Sequence, residues 1–343
     1  MKMHRTILLF FAALLGMVGC LPSSMLYPTV TPVPPITHTV GNLTGIEPIW
    51  TLDDIYVIWN ANDITLDAFM GKTCFLGDIG KRAFYKTFVC LESQSGQPLW
   101  TKENGIHDTI AMTTEGIFVA YGRPATLQRF DLETGDLVGK RKLGGTGSIH
   151  LTYSNNQVQV ATTSSSLWIL DTNAQLIERI KKGQHRIFLS TPDETFINLK
   201  GLQVLKTGTS DVLWEHIDMR DLRQVPIFIE DKLFLRNGAD FSGTAYALNR
   251  TNGALLWETP NIVGNLEYSP NKHLIYALQE NGNLLTIDEN TGMETVIATF
   301  SPGPFLFFNG VDASAYQLAY DDEENFLMVY LGDSSQLFAF RAE

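Results

Sequence analysis

The sequence predicts an all-β chain, a ring of seven four-stranded antiparallel sheets, with eight as the alternative count. Three observations carry that prediction. One turn pattern recurs about every forty residues, short apolar strands flank each copy, and a tryptophan stands at a fixed distance beyond several of them.

The turns come first because they set the period. LESQSG (91–96), FDLETG (130–135), LNRTNG (248–253) and IDENTG (287–292) share an apolar residue, then Asp, Asn or Glu, two variable residues, Thr, Ser or Asn, and Gly. Glycine supplies the positive φ of the turn, and the acidic or amide side chain caps it through backbone amides. Two degenerate copies, LDTNAQ (170–175) and LKTGTS (205–210), fall where the period requires them. The residues after the leading apolar one are Glu92, Asp131, Asp171, Lys206, Asn249 and Asp288, spaced 39, 40, 35, 43 and 39 apart.

The strands come next. In residues 266–300, LEYS, HLIYALQ, NLLTI and METVIATF alternate with the turns SPNK, ENGN and DENTG. Four short strands joined by tight turns make one antiparallel sheet. Such sheets repeated at about forty residues indicate a β-propeller, with radial blades around a central channel. Helical solenoids share the period, but a turn every eight to twelve residues and the Thr, Val, Ile and aromatic enrichment count against helices.

Eight residues beyond the acidic position stand Trp100, Trp214 and Trp257, where a large ring on the outer strand can seal the junction with the next blade. Trp59 and Trp168 fall outside that position. The N-terminal NLTGIEPIW (42–50) places Asn42 eight residues before Trp50, and its end resembles the Gly-Gln-Pro-Leu-Trp of 96–100. Residues 43–50 are therefore expected to be the outer strand of the last blade, its three inner strands coming from about 312–341. Outer strands marked by Trp50, Trp100, Gly139, Arg179, Trp214, Trp257 and Val296 give seven blades. The long stretches 51–91 and 293–340 keep eight open.

D/N-x-x-T-G followed by tryptophan resembles the docking motif of the pyrroloquinoline-quinone-type (PQQ-like) propeller repeat, over most of residues 42–343. WD40 repeats are the near competitor, but no Trp-Asp ends a strand here. For the enzymes of that class, the resemblance implies eight blades in a much longer chain, a calcium ion held by carboxylate and amide oxygens beside a quinone, and a disulfide between adjacent cysteines. This chain is short, lacks adjacent cysteines and has no CxxCH haem attachment. The expectation is no cofactor, no metal and no catalytic residues, with the D-x-x-T-G turns structural.

Other motifs are weaker. His4, His38, His107, His150, His185, His216 and His273 never fall at ligand spacing with each other or with cysteine. No Gly-x-Ser-x-Gly elbow or phosphate loop is present. DDEEN (321–325) reads as a solvated hairpin turn, the alternative being a patch for calcium or a cationic partner. Antiparallel pairing about Arg82 would bring Cys74 and Cys90 opposite one another as a disulfide, and two buried free thiols in neighbouring blades are the alternative.

The N-terminus reads as an address. Lys2 and Arg5 precede the apolar run 6–18, which is short for a bilayer span and fits a signal peptide over 1–19. Met17-Val18-Gly19-Cys20 resembles the lipobox of bacterial lipoproteins, which implies lipidation at Cys20 and a mature protein anchored to a membrane outside the cytoplasm. An uncleaved transmembrane anchor is the alternative. Residues 20–41 hold the lipidated cysteine and a spacer with five prolines, favouring extended polyproline-like conformations, although its C-terminal end could pack on the domain. Residues 42–343 form the propeller domain.

The chain carries 25 basic and 37 acidic residues, a net charge of −12, which argues against nucleic acid as partner. The expected function is a monomeric, non-enzymatic protein-binding or scaffold module of the bacterial envelope. Its layout resembles the propeller lipoproteins of outer-membrane β-barrel assembly. The alternative is a sugar or small-molecule binder, or a PQQ-type dehydrogenase-like enzyme, using the central channel.

Overall fold

A computed structural model describes residues 42–57, 65–80, 87–103, 109–122, 124–145, 149–154, 156–162, 166–181, 186–198, 201–220, 222, 226–238, 242–301, 316–332 and 334–342. All lie within the compact unit His38–Glu343. Lys2, Arg5, Cys20 and the predicted signal peptide and tether lie outside the described residues, as do Trp59, His4, His38, His107 and His185.

Among the described residues there is no helix, and the strands fall into seven antiparallel groups, numbered here as blades in chain order. Blade 1 holds β3 (Ile55–Val57), β4 (Leu66–Phe69), β5 (Lys72–Ile79), β6 (Thr87–Glu92) and β7 (Pro98–Glu103). Its first strand is in two pieces, since β3 and β4 both pair with β5. Blade 2 holds β8 (Thr109–Thr113), β9 (Gly116–Tyr121), β10 (Thr126–Phe130) and β11 (Leu137–Lys142). Blade 3 holds β12 (Ile149–Ser154), β13 (Gln157–Thr162), β14 (Ser166–Asp171) and β15 (Leu176–Lys181).

Blade 4 holds β16 (Arg186–Ser190), β17 (Glu194–Asn198), β18 (Leu202–Lys206) and β19 (Val212–His216). Blade 5 holds β20 (Ile227–Ile229), β21 (Lys232–Asn237), β22 (Gly243–Asn249) and the first half of β23 (Leu255–Ser269). The second half of β23 opens blade 6, which continues with β24 (Leu274–Gln279), β25 (Asn283–Asp288) and β26 (Glu294–Ser301). Blade 7 holds β27 (Tyr316–Asp321), β28 (Phe326–Leu331) and β29 (Gln336–Arg341), with β2 (Trp50–Leu52) as its outer strand.

Among the described residues, apolar clusters fill the junctions between these groups. Blades 1 and 2 meet through Phe88, Ile117 and Phe130, blades 2 and 3 through Phe118, Val158 and Trp168, and blades 3 and 4 through Leu167, Ile169 and Ile197. Phe196, Val204 and Leu233 join blades 4 and 5, and Phe234, Ala247 and Ile275 join 5 and 6. Tyr276, Phe300 and Phe338 lie between 6 and 7, and Phe326, Met328 and Phe75 between 7 and 1. FLMVYL of β28, whose two faces both meet a neighbouring blade, is apolar and buried at every position. Each fully buried side chain of this size contributes about 1.5–3 kcal/mol.

The closing strand differs from the sequence expectation. Trp50, Thr51 and Leu52 pair with Ala339, Phe338 and Leu337 of β29, so the termini do share blade 7. Residues 43–49 are not part of that strand. Asn42–Gly45 forms β1, which pairs with β26 of the preceding blade. Gly45, at φ 103°, brings the backbone against Ile297, whose carbonyl accepts from Ile46 N at 2.9 Å. Leu43 and Ile46 thereby pack on the cluster between blades 6 and 7, and only then does the chain cross to β29. The first strand of blade 7 is described from Tyr316, and residues 302–315 lie outside the described set.

Candidate binding face and central channel

The turns joining third to fourth strands and those joining first to second strands emerge on one face of the ring. In each regular turn the capping side chain works as an acceptor. Asp131 Oδ1 accepts from the amides of Glu133 and Thr134 and from Thr134 Oγ1. Asp288 Oδ1 does the same with Asn290 and Thr291. The hydrogen bonds from Thr134 and Thr291 hold both carboxyls below their ordinary range. These groups are committed to the turn.

The tryptophans of the outer strands sit on the next blade's turn. A Cβ built on Gly96 would stand 2.9 Å from Cδ2 of Trp50, and on Gly135 2.6 Å from Cδ2 of Trp100. On Gly253 it would stand 2.7 Å from Cε3 of Trp214, and on Gly292 2.6 Å from Cγ of Trp257. The indole N–H of Trp50 donates to Ser93 O at 2.8 Å, that of Trp214 to Arg250 O at 2.7 Å, and that of Trp257 to Glu289 O at 3.0 Å. Trp100 Nε1 has no partner among the described residues.

The three exceptions obey the same geometry. Gly139 replaces tryptophan where the facing turn offers Ala174 instead of glycine, and Arg141 reaches across to the Ala174 carbonyl at 3.3 Å. In blade 3 the register puts Glu178, paired with Ile169, at the tryptophan position instead of the expected Arg179, because the turn before it is one residue shorter; blade 4 has Ser210 in the facing turn. Val296 faces blade 7, where the chain termini meet and no third-to-fourth turn exists. Trp168 lies in the third strand of blade 3 and is buried in the junction with blade 2.

Ion pairs reinforce this rim between blades: Lys72 with Glu133 (2.8 Å), Glu194 with Arg250 (2.7 Å) and Lys232 with Glu289 (2.9 Å). Burial alone would raise the Glu289 carboxyl, but hydrogen bonds from Tyr268 and Lys232, with the charges of Lys232 and His273, hold it below its ordinary range. DDEEN forms the hairpin between β27 and β28, as expected, yet it is not wholly solvated. Asp321 is fully buried and its Oδ2 accepts from Gly71 N of blade 1 at 2.6 Å. The same face exposes Asp136, Asp193, Asp211, Glu230, Asp231 and Glu323, so it is acidic.

At the centre, polar side chains of the first strands stitch blade to blade. Asn265 donates to Leu318 O (2.8 Å) and accepts from Leu318 N (2.7 Å). Gln317 Oε1 accepts from the amides of Thr65 (3.0 Å) and Leu66 (2.9 Å). Asp67 Oδ2 accepts from Met112 N at 2.7 Å. Burial pushes the Asp67 carboxyl up to about 7 against its hydrogen bonds, with the charge of Asp321 adding to the rise. Burial and the Asp67 charge raise Glu267 well above its ordinary range. Sequence reasoning missed this stitching, although an amide or acid amid an apolar first strand is its visible trace.

Cys74 and Cys90 are joined as a disulfide across neighbouring strands of blade 1, with Cα atoms 4.1 Å apart. His150 is buried, His216 Nε2 lies 2.5 Å from Gly253 O, and His273 lies 3.4 Å from Glu289. Among the described residues no three His, Cys, Asp or Glu side chains converge as a metal set. With the cysteines on separate strands, the described residues do not fit a calcium–quinone site.

This geometry defines a tryptophan-docked β-propeller with an acidic turn face. The family model described as PQQ_2, outer membrane protein assembly factor BamB, matches residues 86–295, more than half of the chain. The chain belongs to that family.

Comparison with curated proteins gives no match. Among solved structures, the crystal structure of the mitotic checkpoint complex matches with TM-score 0.64 at 12% identity, over 88% of this chain and 93% of that one. The WD40 β-propeller domain of Doa1 matches with TM-score 0.62 at 12% identity, over 88% and 98%. The computationally designed Ika8 protein matches with TM-score 0.51 at 13% identity, over 84% and 99%. At such identities the likeness is one of fold.

Proposed function

We propose that this protein is a lipid-anchored module of the bacterial envelope, facing outside the cytoplasm, that binds a protein partner and performs no catalysis. The observation that carries the reading is the family match to an outer membrane protein assembly factor, joined to a fold whose charged turns are spent on holding the ring. Cys20 is the anchor, residues 20–41 the spacer, and the monomeric ring presents its acidic turn face to a partner carrying basic groups.

The test is made in membranes. Wild type and Cys20→Ala are compared for fatty-acid labelling and fractionation, then cross-linked in cells with and without reversal of Asp231, Glu323 and Asp193 to lysine. The reading expects label and membrane retention in wild type only, and a cross-linked partner lost on charge reversal. Label in the mutant, or in neither, sinks the anchor. A partner that survives reversal sinks the choice of face.

A further inference from the structure

The outer strands of the blades are sheet edges, and a bare edge invites a further strand. Five of them carry guards. After a bulge that leaves Leu99, Val138, Ile177, Leu213 or Leu256 unpaired, each continues with charge: Lys102 and Glu103 in β7, Lys140 to Lys142 in β11, Glu178 and Lys181 in β15, Glu215 in β19, Glu258 in β23. The outer strand β2 of blade 7 is protected by being three residues long. The edge of blade 6 differs. Its bulge falls at Ile297, and the run that follows, Ala298–Ser301, has no charge.

That uncharged edge is also where a fifth strand lies. Asn42, Leu43, Thr44 and Gly45 face Ser301, Phe300, Thr299 and Ala298 in antiparallel register. The strap is weakly held: it is four residues long, Thr44 and Gly45 are exposed, and Leu43 and Ile46 are only half-buried. Ring closure does not depend on it, because β2 alone pairs with β29. The fit is selective at one position, since a Cβ on Gly45 would stand 2.3 Å from the Ile297 carbonyl oxygen.

We infer that the outer edge of blade 6 is a strand-accepting site, that β1 is its displaceable occupant in cis, and that its partner is an extended segment with the pattern aliphatic-x-Gly-aliphatic, as in Leu43-Thr44-Gly45-Ile46. A partner strand replaces the backbone hydrogen bonds of β1, places its glycine against Ile297 and its first aliphatic residue beside Phe300. The strap blocks the edge until then, so the free protein does not polymerise edge to edge. This site is separate from the acidic turn face, so its failure leaves the proposed function standing.

The experiment uses the full chain and a fluorescent peptide with the sequence of residues 41–48. Gly45→Val unseats the strap while leaving Trp50 in place, and Thr44→Cys with Thr299→Cys, oxidised, locks it. Apparent affinity scales with the fraction of protein whose edge is open, so release of a strap closed nine-tenths of the time tightens binding about tenfold. The expected order is Gly45→Val tightest, wild type weaker and the locked form without binding, with a peptide bearing valine for glycine inactive throughout. Faster hydrogen exchange at Ala298–Ser301 in Gly45→Val, with an unchanged melt, accompanies it. Should Gly45→Val fail to fold, deletion of residues 21–46 takes its place. Equal peptide binding by the locked and released forms, or unchanged protection at Ala298–Ser301 after release, overturns the inference.

Discussion

Replacing Trp257 by alanine tests whether the docked indoles hold the ring together. The side chain is 7% exposed, its ring lies over Gly292, and it stacks with Phe234 at 5.8 Å between centroids. A ring of this kind buries roughly 200 Å², which at about 25 cal/mol per Å² sets an upper bound near 5 kcal/mol. The lost hydrogen bond strands the Glu289 carbonyl, at a cost of about 1 kcal/mol, while water entering the notch recovers part of it. The expected loss is therefore about 3–5 kcal/mol.

Three companions separate the contributions. Trp257→Phe keeps most of the apolar contact and loses the hydrogen bond to Glu289, so it should cost about 1–2 kcal/mol. Trp100→Ala should fall below Trp257→Ala by about 1 kcal/mol, because Trp100 Nε1 has no partner to lose. Val296→Ala, at 53% exposure with no facing turn, should stay within about 0.5 kcal/mol. Urea denaturation measures all four, with an unchanged m-value as the condition for comparing them. A loss below about 1 kcal/mol for Trp257→Ala would refute the reasoning, since it would mean that burial at the notch adds nothing to the junction.

Serine at both Cys74 and Cys90 should lower stability by about 3 kcal/mol in the chain-entropy model, and a reductant should lower the wild type to the same level. Asp67 holds its proton more tightly folded than unfolded, so between about pH 4 and 7 the folded state binds more protons and stability falls as pH rises. Asp67→Asn should flatten that fall in denaturation curves taken across the window, against a background from Glu267 and Asp321 that remains. Deleting residues 21–46 should leave the melt nearly unchanged, whereas deleting 21–52 removes β2, bares β29 and should cause aggregation on light scattering.

The sequence carried the period, the four-strand unit and the shared terminal blade because each leaves a local mark. Gly135 after Asp131 needs positive φ, and Trp100 stands eight residues beyond Glu92, so both are visible in one dimension. The division of 42–52 between two blades was not legible. Leu43 and Ile46 are apolar in either placement, and what separates β1 from β2 is a close approach of Gly45 to Ile297, some 250 residues away in the chain. The stitching by Asn265, Gln317 and Asp67 was hidden for the same reason, since each partner is a backbone group that any residue provides.

The distribution of tryptophan also explains why the repeat looks degenerate where it does. An indole can lie flat on a turn only if the turn lacks a Cβ at the point of contact, which glycine at positive φ provides. Ring and glycine are therefore two halves of one contact on different blades, and losing one removes the reason for the other. Gly139 with Ala174, and Glu178 with Ser210, are such joint losses, and they fall on consecutive junctions, between blades 2 and 3 and between 3 and 4. The first has a substitute in Arg141 on the Ala174 carbonyl. At the second, Gln159 bonds both the amide and the carbonyl of Ser190 at 3.0 and 2.6 Å. Polar clamps thus hold these two junctions without an indole, as Gln317 and Asp67 do beside the docked Trp50 and Trp100, and such a clamp resists sliding because a hydrogen bond weakens steeply with angle.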